Sequence, residues 1–215
     1  MLVNPNTRTA TTEMMTAIAR RTLGPLLPVH GVTVRRGPRM LTDPSHLRAA
    51  APEVVEAGRR ALAAGDCAAL IVAAFGDPGL EGLRAVAGEV PVVGIGEASL
   101  REASAAATRF GIATTTPLLA GPLADGVGRL GLAGLFTGLR LTDGDPEALS
   151  ADPTALRESL AGAVRECVAH DGARAVVIGG GPLGDAAEAL RPRFDIPLIA
   201  PIPAACRRVT RLLAR

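Results

Sequence analysis

The chain contains no lysine, glutamine, tyrosine or tryptophan among its 215 residues. The missing lysine excludes Schiff-base chemistry, lysine-held pyridoxal phosphate and the lysine of a P-loop, and the missing tyrosine excludes a phenolic general acid. Aromatic residues make up 2% of the chain, all of them phenylalanine, which leaves no platform on which nucleic-acid bases could stack. We therefore expect alanine, valine, leucine and isoleucine to fill the core.

Charge and hydropathy exclude further classes of protein. The net charge is only +2, and the arginines that supply the positive charge are scattered, so no basic stripe indicates a nucleic-acid partner. No apolar run approaches the roughly 18 residues that a membrane span needs. The segment 1–5 has neither the basic leader nor the hydrophobic stretch of a signal peptide. These features predict a cytoplasmic protein without a membrane or nucleic-acid partner.

The cysteines and histidines do not indicate a metal site. Cys67, Cys167 and Cys206 form no CxxC pair, and their odd number argues against a disulfide framework. No spacing of histidine, cysteine and carboxylate resembles a set of metal ligands. We expect no metal and no cofactor, and we interpret the three cysteines as small core fillers.

Short apolar runs alternate with Ala/Arg/Glu-rich helical stretches, which is typical of βα units around a parallel sheet. The continuous apolar run 68–74 predicts a strand buried on both faces, and further strands are predicted at 110–114 and 173–179. The stretch 45–64 is predicted as a helix with Ser45 as its N-cap. A turn at 76–79 is expected to lead into a short helix.

The order of elements repeats in the second half of the chain. Ala74 and Gly180 each end a central strand, and about half the chain length separates them, as a duplication requires. We therefore predict an α/β fold of two similar lobes, each a four-stranded parallel sheet flanked by helices, related by a pseudo-twofold duplication. The first lobe comprises 1–96 with a C-terminal helix at about 203–215, and the second comprises 97–202, with the active-site cleft between them.

Four loops are expected at the carboxyl ends of strands, where open parallel sheets bind their ligands. Asn6 stands in a loop before a predicted helix start, so its side chain could hold an anion there, although helix capping is the more common role. The same two interpretations apply to the threonine run at 114–116. The glycines of the other loops permit a ligand close to the backbone or simply form tight turns. The four loops are 4–7, 75–79, 114–117 and 179–184.

Titratable side chains near these loops are few. Asp77 stands in an Asp-Pro-Gly turn, where capping is more common than catalysis, and a nearby helix N-terminus is expected to lower its pKa. Glu97, His46 and Asp185 are further candidates for proton transfer.

Taken together, the loops resemble the aspartate/glutamate racemase superfamily, most closely its hydantoin racemase branch. The resemblance covers nearly the whole chain: Asn-Pro-Asn-Thr at 4–7, Met-Met-Thr at 14–16, Gly-Pro at 37–38, the segments 71–80 and 91–98, and the threonines after Ile112. It implies two α/β lobes with a small carboxylate or cyclic amide bound between them, and a homodimer as the default assembly. In that family, one cysteine from each lobe moves protons on opposite faces of the substrate carbon.

Carried over residue by residue, the resemblance implies a polar clamp and a backbone cradle but no catalytic pair. The family's cysteine positions are Ala74 and Gly180 here, and Ala200 stands where the hydantoin branch often has Asp. Asp77 and Glu97 are left as candidate catalytic residues. The substrate-binding residues implied are Asn6, Phe75, Gly76, Thr115, Thr116, Gly180 and Gly181.

Three hypotheses follow. The first is an enzyme of the superfamily that uses an enolate-stabilising cradle without cysteines, for example a lyase, decarboxylase or cyclase. The second is a conventional two-base racemase of amino-acid derivatives. The third is a protein that binds small carboxylates without turnover.

Overall fold

Two parallel sheets of identical strand order form the framework of the computed structural model, which describes residues 1–25, 27–106 and 109–214. The first sheet has the order β2-β1-β3-β4, and the second has the order β6-β5-β7-β8, so the topology of one half repeats in the other. The predicted α/β fold with two similar four-stranded sheets is confirmed. The strands are β1 (Leu2–Asn4), β2 (Gly31–Thr33), β3 (Leu70–Val72), β4 (Val92–Gly94), β5 (Phe110–Thr114), β6 (Phe136–Leu141), β7 (Ala175–Ile178) and β8 (Leu198–Ile199).

Helices connect successive strands, as parallel pairing requires. None of the helices among the described residues is both long enough and apolar enough to cross a membrane. The helices are α1 (Thr9–Leu23), α2 (Pro44–Ala63), α3 (Leu80–Arg84), α4 (Ile95–Ala106), α5 (Ala120–Arg129), α6 (Pro146–Ala151), α7 (Pro153–Ala169), α8 (Gly184–Leu190) and α9 (Pro201–Leu213).

The core consists of one hydrophobic cluster shared by both halves and one cluster within each half. Alternate residues of a strand point to opposite faces of its sheet. In β5, Phe110 and Ile112 therefore join the shared cluster, whereas Ala113 joins the cluster of the second half. The shared cluster holds the two sheets together, so the loops at their carboxyl ends lie near one another.

Some local predictions were wrong. Helix α2 is capped by Asp43 rather than Ser45, because the Asp43 carboxylate accepts from the backbone N–H groups of Ser45 and His46 at 2.7 and 3.1 Å. The sequence also predicts loops at 35–46 and 140–150 that form much of the cleft rim, but part of the second segment forms helix α6, where Asp145 caps the first turn. A further helix is predicted near 97–108, and its predicted end at Thr108 lies outside the described residues. The assignment of α9 to the first lobe stays a prediction.

Candidate functional site

A cavity of about 390 Å³ lies between the carboxyl ends of the two sheets. Residues after β1 and β3 line it from the first half, and residues after β5 and β7 line it from the second half. Six of the seven side chains or loop positions expected to bind substrate lie around it: Asn6, Phe75, Thr115, Thr116, Gly180 and Gly181.

The buried side chain of Asn4 orients Asn6. Its Nδ2 donates to Asn6 Oδ1 and to Thr12 Oγ1 at 2.9 Å each and to the Arg8 carbonyl at 3.1 Å, while its Oδ1 accepts from the Asn6 backbone N–H. Asn6 Oδ1 also accepts from the Arg8 backbone N–H at 2.9 Å. This contact lies in the turn before α1 and is not a helix cap, because the N-cap position is Arg8 and no described side chain caps it; the capping interpretation of Asn6 was wrong. Asn6 Nδ2 donates no hydrogen bond within the described part of the chain, so it is available to a ligand in the cavity.

In the second half, the three threonines at 114–116 make different contacts. The Thr114 hydroxyl is buried and donates to the Gly179 carbonyl at 2.7 Å, which ties the ends of β5 and β7 together. Thr116 lies 3.3 Å from Thr114, measured between the hydroxyl oxygens. Thr115 is half-buried, lines the cavity and has no hydrogen-bond partner for its hydroxyl among the described residues. Thr115 is therefore the threonine best placed to contact a ligand.

The three glycines after β7 differ in what a side chain at each position would contact. A Cβ on Gly179 would approach Phe75 and Ile112 within about 3.2 Å, and a Cβ on Gly181 would lie 3.2 Å from the Ala73 carbonyl oxygen. Both glycines thus allow the two halves to pack closely. Gly180 differs, because its φ of 177° is extended backbone and a Cβ there would meet only the flexible Leu183 side chain, at 2.8 Å.

Gly76, Asp77 and Glu97 are outside this cavity and line a separate one beside helices α3 and α4. The Asp77 carboxylate accepts from the backbone N–H groups of Gly96 and Glu97 at 2.9 and 2.6 Å, so it caps α4 from a distant loop. Glu97 pairs with Arg84 and Arg101, at 2.8 Å each. This placement argues against the expectation that Asp77 and Glu97 transfer protons to a ligand of the main cavity, and against Gly76 as a contact of that ligand.

The absence of side chains at Gly94 and Gly96 makes room for the Asp77 carboxylate. A Cβ on Gly94 would lie 2.3 Å from Asp77 Cγ. Burial of the carboxylate raises the pKa of Asp77 to about 7, although the two N–H donors and Arg84 oppose this change. The lowered pKa expected from the helix N-terminus was wrong, because desolvation outweighs the hydrogen bonds.

Asp77 gives a prediction for stability against pH. Because its pKa is raised in the folded protein, the folded state keeps a proton between about pH 4 and 7 that the unfolded state has lost, and this lowers stability as pH rises. Urea unfolding from pH 4 to 8 should show the stability of the wild type falling relative to Asp77→Asn by up to about 1.4 kcal/mol per pH unit.

Asp43 provides a control of opposite sign. It also caps a helix, but hydrogen bonds from Ser45 and His46 lower its pKa. Relative to Asp43→Asn, the wild type should therefore gain stability as pH rises through the ordinary range for aspartate. A gain with rising pH for Asp77 as well would contradict the dominance of desolvation.

Of the remaining titratable candidates, only Asp185 lines the cavity. None of the three cysteines lines it; Cys167 and Cys206 are buried, and desolvation raises the pKa of each thiol to about 12. Cys67 is half-buried, so its interpretation as a buried filler was only partly correct. His46 is at the start of α2, outside the lining. Asp185 is the one carboxylate among the described lining residues, and it forms an ion pair with Arg21.

Several lining residues were not identified from the sequence. Arg8 directly precedes α1 and Thr11 lies three residues later in its first turn, so both line the cavity shortly after Asn6. That spacing could have identified them once the helix start was known. Arg39 was placed only within a general rim segment, and Arg157 lies on α7 without a local signal.

A family model, related sequences and solved structures all match this chain over nearly its whole length. The family model described as Asp/Glu/Hydantoin racemase matches residues 1–209. The hydantoin racemase of Paenarthrobacter aurescens is 28% identical over 214 residues, which cover 100% of this chain and 90% of that relative. The structure of allantoin racemase from Klebsiella pneumoniae is similar with a TM-score of 0.92 and 30% identity, over 99% of this chain and 86% of that one. An arylmalonate decarboxylase, at 20% identity, shares the fold with a TM-score of 0.70 over 99% of this chain and 91% of its own.

Proposed function

The chain belongs to the Asp/Glu/hydantoin racemase family, and from this premise we propose that it is an enzyme acting on a small carboxylate or cyclic amide through an enolate-type anion, without proton transfer by cysteine. The observation that carries the proposal is the cavity lining. It combines hydrogen-bond donors from both halves with the residues Ala74 and Gly180, and no thiol or imidazole is present among its described residues.

The lining supplies donors suited to a developing negative charge. Asn6 Nδ2 and the Thr115 hydroxyl reach the cavity from opposite sheets. The backbone N–H groups of Phe75 and Gly181 donate no hydrogen bond within the described residues. Preorganised donors of this kind stabilise an oxyanion because they need no rearrangement as charge develops.

A reaction in such a cradle needs its proton from elsewhere. Decarboxylation, retro-aldol cleavage and loss of water from a position β to a carbonyl pass through an enolate-type anion, and cyclisation onto a carbonyl passes through a tetrahedral oxyanion; water or the substrate itself can supply or accept the proton. These reactions agree with the lining better than two-base racemisation does, although the relatives of known name are hydantoin and allantoin racemases.

The described lining holds no thiol or imidazole, and its one carboxylate, Asp185, is paired with Arg21, which also favours a second candidate, binding without turnover. Proton NMR in D₂O distinguishes the candidates, with amino acids, 5-substituted hydantoins, allantoin and 2-substituted malonates as substrates. Loss of CO₂ or water supports the proposed enzyme. Exchange at a stereocentre with racemisation would instead support the conventional racemase. Line broadening without any reaction would favour binding alone, and neither binding nor reaction would contradict the assigned cavity.

Removal of either side-chain donor should weaken binding. Asn6→Ala and Thr115→Ala are each expected to raise the Kd of a carboxylate or hydantoin ligand about tenfold or more, because a hydrogen bond to a charged group contributes about 1.5–3 kcal/mol. Isothermal titration calorimetry measures this change. Thr22→Ala is the control, since Thr22 donates to the Ile18 carbonyl within α1 and lies outside the cavity. Unchanged affinity in both test variants would rule out the clamp.

A further inference from the structure

Three arginines line the cavity from separate segments of the chain. Arg8 precedes α1, Arg39 follows β2 and Arg157 is on α7, so both halves contribute. None of the three forms an ion pair with a carboxylate among the described residues. The one carboxylate among the described lining residues, Asp185, is already paired with Arg21. The cavity therefore has an excess of positive charge that the protein itself does not compensate.

Some arginines elsewhere on the surface, unlike these three, are paired with carboxylates. Arg36, three residues before Arg39, is paired with Glu53 at 3.1 Å, and Arg193 is paired with Glu158 in a two-point contact. The guanidinium group offers a planar fork of donors that matches a carboxylate or a phosphate. Three such groups around one concave site favour an anionic ligand.

A buried polar side chain beside Arg8 points to a ligand independently of the charge. Thr11 is 9% exposed and lines the cavity, and its hydroxyl has no hydrogen-bond partner among the described residues. It is one turn from Arg8 at the N-terminus of the 15-residue helix α1, where the unpaired backbone N–H groups also favour negative charge. Because the Thr11 hydroxyl is not among the fully buried unpaired atoms, it is accessible from the cavity and can donate to or accept from a ligand there.

We propose that the substrate carries, besides the reacting carboxylate or cyclic amide, a second anionic group that Arg8, Arg39 and Arg157 hold at the cavity wall with help from Thr11. Asn6, Thr115 and the loop N–H groups then remain for the reacting carbonyl. This inference rests on the proposed function and names the substrate class: small carbonyl compounds with an anionic side arm, in contrast to hydantoins with a neutral one.

A pair of probes that differ only in charge tests the inference. Calorimetry with hydantoin-5-acetate and hydantoin-5-acetamide, repeated with 2-methylsuccinate and its monoamide, compares an anionic arm with a neutral arm of nearly equal size. The anionic probe of at least one pair should bind the wild type about tenfold or more tightly at low salt. This preference should shrink as salt is added.

Substitution of the arginines should remove the preference selectively. Arg8→Gln, Arg39→Gln, Arg157→Gln and the triple variant should weaken the anionic probes while leaving the neutral ones within about twofold. Arg36→Gln is the matched control and should behave as the wild type. Competition with inorganic phosphate identifies the chemical type of the second anionic group. Displacement of the probe indicates a phosphate ester, and no displacement indicates a carboxylate.

The binding results distinguish a failure of the second anionic group from a failure of the proposed function. Equal binding of anionic and neutral probes, unchanged in the triple variant, would overturn the second anionic group and leave the proposed function intact. Failure of every probe to bind the wild type would overturn both. A folded triple variant, checked by circular dichroism, is required for either conclusion.

Discussion

The double variant Ala74→Cys/Gly180→Cys should gain the ability to racemise an enantiopure 5-substituted hydantoin. Both positions line the cavity, and each follows a central strand by two residues, β3 in one sheet and β7 in the other, so two thiols there would face the ligand from the two halves. By resemblance, these are also the positions of the family's catalytic cysteines. Positioned general acids and bases contribute about 10²–10⁴-fold to rate, and we expect a gain in that range over the wild type.

Both positions can accept the new side chain. Ala74 already has a Cβ, and Gly180 has extended backbone with only the flexible Leu183 side chain in the way. An ordinary thiol pKa of about 8.5 leaves a usable thiolate fraction near neutral pH, which a serine hydroxyl does not. Substitution at Gly179 or Gly181 would instead force the two halves apart.

Polarimetry and loss of the α-proton signal in D₂O measure the two steps separately. Each single variant should exchange the proton of one enantiomer only, whereas the double variant should also invert the centre. Ala74→Ser/Gly180→Ser is the matched control, since it has nearly the same shape without the acidity. If the folded cysteine variant exchanges no faster than the serine variant, or if the wild type already racemises as fast, the cysteine-free interpretation is wrong.

Much of the framework could be predicted because it depends on local patterns. The strand at 110–114 was placed with its observed bounds. The sequence also predicts a helix from about Pro153 to His170, and α7 does begin at Pro153, since proline at the first helical position follows an Asp cap. The duplication predicted the repeated strand order and the convergence of four loops. These features follow from the apolar runs and from the prolines and glycines at the ends of the elements.

The direction of individual side chains could not be predicted in the same way. Asp77 follows the cavity-lining Phe75 by two residues, yet a φ of 49° at Asp77 and 118° at Gly76 turns the chain, and the carboxylate packs against Gly94 and Gly96. The sequence leaves Asp77 as a candidate catalytic residue, whereas the geometry places its carboxylate outside the cavity. The three arginines were missed for a related reason: exposed charges carry no periodicity, and only the fold brings distant segments around one cavity.

Asn4→Asp should be one of the most damaging conservative substitutions in the chain. Asn4 is fully buried, and its Nδ2 donates to three acceptors, on Asn6, Arg8 and Thr12. An aspartate oxygen in that place would face those acceptors without a proton to donate. Leaving an uncompensated charge in a buried site costs about 3–5 kcal/mol, and we expect a loss of that size in the free energy of unfolding at pH 7, measured with urea.

The same substitution two residues away is the control. In Asn6, the atom that would become an oxygen is Nδ2, which faces the cavity and has no partner among the described residues, while Oδ1 keeps its bonds to Asn4 and Arg8. Asn6→Asp should therefore cost far less stability but abolish binding of anionic ligands, because it places a negative charge where their negative group would lie. The Asn4→Asp loss should also shrink as pH falls, since protonation of the new carboxyl restores a donor. Equal stability losses in the two variants would show that Asn4 does not orient Asn6 as inferred.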